Sequence, residues 1–369
     1  MMQRTDEPDA APGAYAYYVL FMLFLVLAVS LIDRNILGIL LEDIKADLAI
    51  SDTQLGLLTG PAFAVTNAIA GIPLARAADR RSRRDIVAWG LLAWSLLTGL
   101  QGATRSFGAL MAARIGVGIG EASTGPAAHS LISDYFPLRQ RATAISLYTM
   151  GGHLGVWIAF LVGGWLSQAY GWRTALVAVG LPGAILALLF RLSVREPTRG
   201  AIDGQVDSGD AVPFGEVARV LAGKPTFRHL ALALPLFVCA AYVLNIWGPA
   251  FLIRVHGLSK AEIGASFGLI VGVAGGVGSI AGGLLSDRLG RRDRRWYPWL
   301  PMVATLAAIP FQLGFLLAPD AKLALVSLGP AVFLNATAIA PLWTANQAVS
   351  PLRMRAISYS ITSSISGSA

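Results

Sequence analysis

Four charged residues stand inside apolar segments of membrane-crossing length. Asp33 and Arg34 interrupt YYVLFMLFLVLAVSLIDRNILGIL, and Arg114 and Glu121 interrupt GALMAARIGVGIGEASTGPAAHSLIS. Arg114 and Glu121 lie two helical turns apart and so share a face. A charge at membrane depth costs several kcal/mol unless it is paired or faces a cavity, so its default meaning is a transport or ion pathway. The chemistry on offer is proton exchange. Desolvation favours the neutral form of a carboxyl and a nearby guanidinium favours the charged form, so moving one relative to the other loads or releases a proton. Glu121 is the better proton carrier, with Arg34 and Arg114 expected to hold the two carboxylates and Arg114 expected to act on Glu121. Asp33 and Arg34 are adjacent and point about 100° apart on a helix, so they need not pair, and Asp33 equally suits Arg114. The alternative is a set of salt bridges that only locks the helices, but a dry interface rarely needs four charges of this cost.

Other polar residues could line the same pathway. His129 lies on the Glu121 face and could pass protons inward, or simply complete an interhelical hydrogen bond. Tyr148, His153 and Trp157 share one apolar block, Tyr242 and Asn245 another, and Asn335 and Trp343 a third. No charge interrupts those later blocks. The pattern predicts a cavity charged on one side and apolar-aromatic on the other, which suits an amphiphile with an anionic head. Each Trp or Tyr alone is equally explained by packing or by a membrane interface.

The elements that must position these groups are helices. Hydrophobic residues make up 55% of the 369-residue chain and charged residues 14%, against about 25% charged in soluble domains. Mean hydropathy is +0.62. Apolar blocks at 17–40, 54–77, 86–103, 108–134, 141–168, 173–192, 228–255, 262–286, 297–317 and 322–345 can each span the hydrocarbon layer, and an eleventh begins near 353 and is incomplete at 369. The first block is too long and too charged at its end for a cleaved leader. The lone Cys239 excludes a disulfide scaffold and a cysteine metal site. The net charge of +8 reflects arginines beside the apolar blocks rather than a nucleic-acid surface: Arg76 to Arg84, Arg139 and Arg141, Arg288 to Arg295, and Arg353 and Arg355. These clusters fall on alternate links, which places them and the N-terminus in the cytoplasm. No nucleotide-binding loop, metal cluster or catalytic constellation is present, so the expectation is no enzyme, no cofactor and no metal.

Three pieces recur along the chain. ISDTQLGLLTG at 50–60 returns as LSKAEIGASFG at 258–268, the Asp79-Arg80 pair returns as Asp287-Arg288, and PLRQRA from Pro137 returns as PLRMRA from Pro351. Such parallel repeats are how many transporters build two bundles around a central cavity. The expected organisation is an all-α integral membrane protein of two six-helix bundles related by a pseudo-twofold repeat. The first bundle is 1–192, a cytoplasmic linker is 193–225, and 226–369 is a second bundle reaching only into its fifth span. A short surface helix is expected at 213–221.

The Asp79 and Asp287 loops carry a resemblance. Gly283, Asp287, Arg288, Gly290, Arg291 and Arg292 reproduce the Gly-x-x-x-Asp-Arg-x-Gly-Arg-Arg loop of the major facilitator superfamily. The first half keeps Asp79, Arg80, Arg83 and Arg84 but has Ala75 and Ser82 in the glycine places. Within the superfamily, the run from Asp33-Arg34 through ILGILLEDIKADLAISDTQLGLLTGPAF and the run RIGVGIGEASTGPAAHSLISDYFP are most similar to bacterial Spinster proteins, which resemble eukaryotic sphingosine-1-phosphate and lysophospholipid transporters. The Asp33-Arg34-Asn35 run is also like that of anion–cation symporters. The resemblance implies the major facilitator fold, in a bacterial inner membrane, working as a monomer among membrane lipids without nucleic acid. It assigns proton coupling and substrate binding to Asp33, Arg34, Arg114 and Glu121, and cytoplasmic gating to Asp79, Arg80, Asp287 and Arg288. The function it implies is proton-coupled transport of an amphiphilic, lipid-like anion by alternating access, the alternative being a small organic anion symporter or a multidrug exporter.

Overall fold

The computed structural model describes residues 13–198, 219–220, 223–290, 292–293 and 295–349. Its elements are α1 (Ala14–Leu48), α2 (Asp52–Thr59), α3 (Pro61–Arg80), α4 (Arg83–Gln101), α5 (Phe107–Glu121), α6 (Thr124–Tyr135), α7 (Leu138–Ser193), α8 (Pro225–His256), α9 (Lys260–Gly290), α10 (Trp296–Leu317) and α11 (Ala321–Val349). Among the described residues, seven stretches are long and apolar enough to cross a membrane. The eleventh block, most of the 193–225 link, the surface-helix segment 213–218 and the loop residue Arg291 lie outside the described residues.

Local chemistry sets the helix ends. Ser51 and Gln54 form a reciprocal capping box at α2, and the Ser82 and Ser106 hydroxyls accept from Asp85 N and Ala109 N at the starts of α4 and α5. Two blocks expected to be single helices are broken. The second divides at Gly60-Pro61, where the missing proline N–H and the glycine's irregular backbone (φ −101°, ψ −91°) end α2 and start α3. The fourth divides at Glu121, so the carboxylate closes α5 at a break continued by Ala122 and Ser123. The fifth and sixth blocks are two helices, taken together here as α7, that meet at a kink at Gly171, whose φ of 83° a side chain would oppose.

The packing separates into three apolar cores. One is shared: Ile36 to Ile44 of α1, Leu55 and Leu58 of α2 and Phe160 of α7 pack with Ile246 to Leu252 of α8, Ile263 and Phe267 of α9 and Leu328 of α11. A second belongs to the first half alone, from Val19 and Leu23 through Trp94, Leu131 and Phe190. A third belongs to the second half alone, around Leu230, Leu234, Phe237, Tyr297 and Leu342. The halves are thus joined at the arginine-poor end and packed separately toward the arginine-rich end.

Ion pairs follow the same division. At the arginine-poor end Arg254 of α8 donates to Glu42 (2.7 Å) and to Asp52 (2.6 Å), Lys260 of α9 donates to Asp43 (2.6 Å), and Ala261 N donates to Gln168 (2.9 Å). All of these link the halves. Below them α7 and α9 meet along a glycine seam. A Cβ at Gly268 would lie 2.7 Å from Phe160 Cβ, one at Gly272 would lie 2.8 Å from Trp157 Cβ, and one at Gly264 would collide with the Phe160 carbonyl.

At the arginine-rich end the described ion pairs stay within the first half. Arg83, almost fully buried at the start of α4, pairs with Asp134 of α6 and with Glu196 (2.8 Å) just beyond α7. Glu196 also accepts from Arg84 N, and Tyr135 OH donates to the Arg195 carbonyl (2.6 Å). Burial pushes the Glu196 carboxyl up, but the Arg84 N–H and the Arg83 guanidinium outweigh it and hold it below the usual glutamate range. A depressed folded-state pKa adds stability that is present above the unfolded value and lost as pH falls through the folded one. Glu196→Gln is therefore expected to lower Tm at neutral pH, with the gap from wild type closing below about pH 4. Thermal melts in detergent across pH check this, and a gap that does not change with pH would contradict it.

Candidate functional site

The four interior charges meet where the shared core gives way to the separate ones. Residues 30–35 of α1 lie just before its shared-core stretch, and the α5 break brings Glu121 beside them. Arg34 Nε donates to Glu121 Oε2 at 2.6 Å, and Ser30 Oγ donates to the same oxygen at 2.9 Å. The Glu121 side chain has no exposure, whereas Arg34 keeps 15%. Arg114 is fully buried, and its Nη1 donates to the main-chain carbonyl of Asp33 at 3.3 Å. Both guanidinium groups lie over the ring of Phe63 of α3, each Cζ being 4.8 Å from its centroid. The negative potential of an aromatic face attracts a cation so placed.

This corrects two expectations. Glu121 is held by Arg34, not by Arg114, and Arg114 grips the backbone of α1 rather than a carboxylate. The reason is the angle between neighbours on α1: Arg34 turns toward Glu121, and Asp33, about 100° round the helix, has Trp94 and Thr98 of α4 beside it. Both Asp33 oxygens are buried without a short hydrogen bond, as are Glu121 Oε1 and Arg114 Nε and Nη2.

The remaining candidates divide by location. Tyr148 is buried with His129 edge-on to its ring at 5.6 Å, and both it and Tyr242 lie in the electrostatic field of Arg34. Tyr242 OH also donates to the Thr59 carbonyl at 3.1 Å, tying α8 to the end of α2. Asn245 contributes its backbone, since a Cβ on Gly38 of α1 would lie 3.0 Å from its carbonyl. His153 and Trp157 belong to the glycine seam, where they pack on Gly275 and Gly272 of α9. Asn335 is half-buried in α11, and Arg288 is exposed at the end of α9. The side chains of Asp79, Arg80, Asp287 and Trp343 lie outside what the structure describes.

Sequence reasoning missed Ser30, Phe63, Trp94 and Thr98, which carry no charge and look like ordinary helix residues. It also missed the Arg254 and Lys260 lock. Its signal was present in the acidic run Glu42, Asp43, Asp47 and Asp52 opposite bases at the ends of α8 and α9.

Three comparisons bear on the site. A family model described as the Major Facilitator Superfamily matches residues 23–369. Among known proteins, an MFS-type efflux pump of Mycolicibacterium smegmatis is 33% identical over 341 residues, 91% of this chain and 78% of that protein. A probable galactarate/D-glucarate transporter of Bacillus subtilis is 28% identical over 313 residues, 78% of this chain and 68% of that protein. The crystal structure of a bacterial homolog of the human lysosomal transporter Spinster, inward-facing and unoccupied, superposes with a TM-score of 0.86 at 34% identity, covering 96% of this chain and 80% of that one.

Proposed function

Because the chain belongs to the Major Facilitator Superfamily, we propose that it couples the movement of a small organic anion to protons through competition for Arg34. The chain is a multi-pass membrane transporter, not an enzyme, and its relatives include an efflux pump, a probable galactarate/D-glucarate transporter and a bacterial Spinster homolog. The observation that carries the proposal is Arg34, the one member of the charge cluster that keeps some exposure while its Nε is engaged by the buried Glu121.

A substrate carboxylate and the Glu121 carboxylate compete for one guanidinium. Protonating Glu121 removes the competitor, so proton and anion bind with positive cooperativity. By reciprocity the anion favours the protonated glutamate to the same degree. That sign gives symport. The sugar-acid transporter among the relatives favours a compact carboxylate as cargo. The Spinster likeness favours an amphiphilic anion and is the second reading, with the half-buried Tyr242 near Arg34 offering apolar surface to a tail.

Two bundles, 1–192 and 226–369, joined by 193–225 would rock about the shared core. With the arginine-rich links in the cytoplasm, the separate cores face inward, as in the inward-facing Spinster homolog. Asp79, Arg80, Asp287 and Arg288 then act when that side closes.

Proteoliposomes with an imposed inward proton gradient test the proposal, using labelled sugar acids, dicarboxylates and a lysophospholipid. Accumulation of a small carboxylate that collapses with a protonophore is expected. Accumulation of the lysophospholipid alone would move the assignment to the lipid-like cargo, and accumulation indifferent to the pH gradient would remove proton coupling.

A further inference from the structure

Asp33 points away from Arg34 and into the body of the first half. The surface it meets there is one stripe of α4. Trp94, Thr98 and Gln101 fall at i, i+4 and i+7, and none is more than 1% exposed. Gly120 of α5 lets that stripe close in, since a Cβ there would lie 2.9 Å from Trp94 Cβ. Asp33 Oδ1 and Oδ2, Trp94 Nε1, Thr98 Oγ1 and Arg114 Nε and Nη2 are all buried and none has a short hydrogen bond. The charges acting on the Asp33 carboxyl are those of Glu121 and Arg114 of α5, and Thr98 and Trp94 of α4 are its polar neighbours. Buried polar groups are seldom left unmatched, and Trp94 and Thr98 are the unmatched groups of α4 that act on the Asp33 carboxyl.

We propose that Thr98 and Trp94 are positioning residues that hold the Asp33 carboxyl in both of its charge states. The inventory of donors fits this division. An indole N–H only donates, so Trp94 can serve one carboxyl oxygen throughout. A hydroxyl donates and accepts, so Thr98 can donate to the ionised oxygen and, by rotating, accept from the protonated one. The surroundings of the carboxyl are therefore matched to either state without movement of the backbone, and α4 registers the charge of the residue next to Arg34. This rests on reading the Asp33 and Glu121 carboxyls as proton-exchanging groups.

Infrared difference spectra of the purified full chain, titrated from about pH 5 to about pH 9, test the assignment without requiring transport. The Asp33 signal is identified as the carboxyl or carboxylate band lost in Asp33→Asn. In Thr98→Val that band is expected to change frequency and its midpoint to move by about one pH unit, the size set by one charge-assisted hydrogen bond. Thr98→Ser should restore both. Trp94→Phe, which keeps most of the ring volume, should move the midpoint as well and gives an independent measurement if Thr98→Val is not recovered. An Asp33 band unchanged in frequency and midpoint in these variants overturns the proposal. Absence of proton-driven accumulation by the wild-type protein in the transport assay, with the band shifts intact, would refute the coupling and leave the positioning role standing.

Discussion

Glu121→Gln protein should bind its anion with an affinity that no longer varies with pH, and should exchange substrate across the membrane while failing to accumulate it against a gradient. Glutamine copies the shape of the protonated acid and cannot release a proton. It also leaves Arg34 without an ionic competitor, so the anion should bind at neutral pH about as well as it binds to wild type in acid. Arg34→Ala should do the reverse. Removing the charge-assisted anchor costs about 1.5–3 kcal/mol, or roughly ten- to a hundredfold in affinity. It also leaves Glu121, whose side chain is fully buried, with only the Ser30 hydroxyl to accept from. Arg114→Ala belongs to a different class. Its guanidinium holds the α1 backbone and stacks on Phe63 without reaching the opening, so the expected loss is in thermal stability before affinity. Binding by scintillation proximity and counterflow in proteoliposomes separate the three. Proton-driven accumulation at wild-type level in Glu121→Gln would end the role given to Glu121.

The second large effect is expected at the opposite end. Arg254→Ala combined with Lys260→Ala removes the bonds to Glu42, Asp52 and Asp43 that fasten α8 and α9 to the first half. Each pair is partly exposed, so its single contribution is small and salt-dependent. Together they act on an equilibrium between two arrangements, where about 1.4 kcal/mol is a tenfold change in population. The double variant should shift toward the arrangement open at this end, by roughly tenfold. Spin labels at Leu48 and Leu258 should then show a second, longer distance, and raising the salt concentration should produce part of the same change in wild type. A single short distance in the double variant would mean that the apolar shared core alone holds this end closed.

Much of this arrangement is legible in the amino-acid order, and the reasons are physical. A membrane-crossing helix must be apolar for about twenty residues, so the blocks stood out and each described one is helical where expected. The cluster of charges was legible because burial makes such residues expensive. Which charge meets which was not, because Asp33 and Arg34 are neighbours in the chain and a rotation of α1 would exchange their surroundings. That rotation is fixed by close packing, by Gly38 against α8 and Gly151 and Gly155 against α1, where no pattern of polarity announces it. The break after Glu121 was hidden for a similar reason: Ala122, Ser123 and Thr124 are compatible with a continuous helix. The lock at the arginine-poor end joins acids near residue 45 to bases near residue 257, and only the folded chain brings them together.

The glycine seam between α7 and α9 also governs how this sequence is free to vary. Gly264, Gly268 and Gly272 recur every fourth residue, and each is closed off by the opposing helix, so even one added methyl would push the halves apart. Val273 and Val277, on the turns beside them, stand more than half exposed and have room for almost any apolar side chain. Inheritance along α9 should therefore run in stripes, with one row of positions silent across descendants and the adjoining rows drifting freely, so that the path along which the halves meet is written into which changes the lineage could survive.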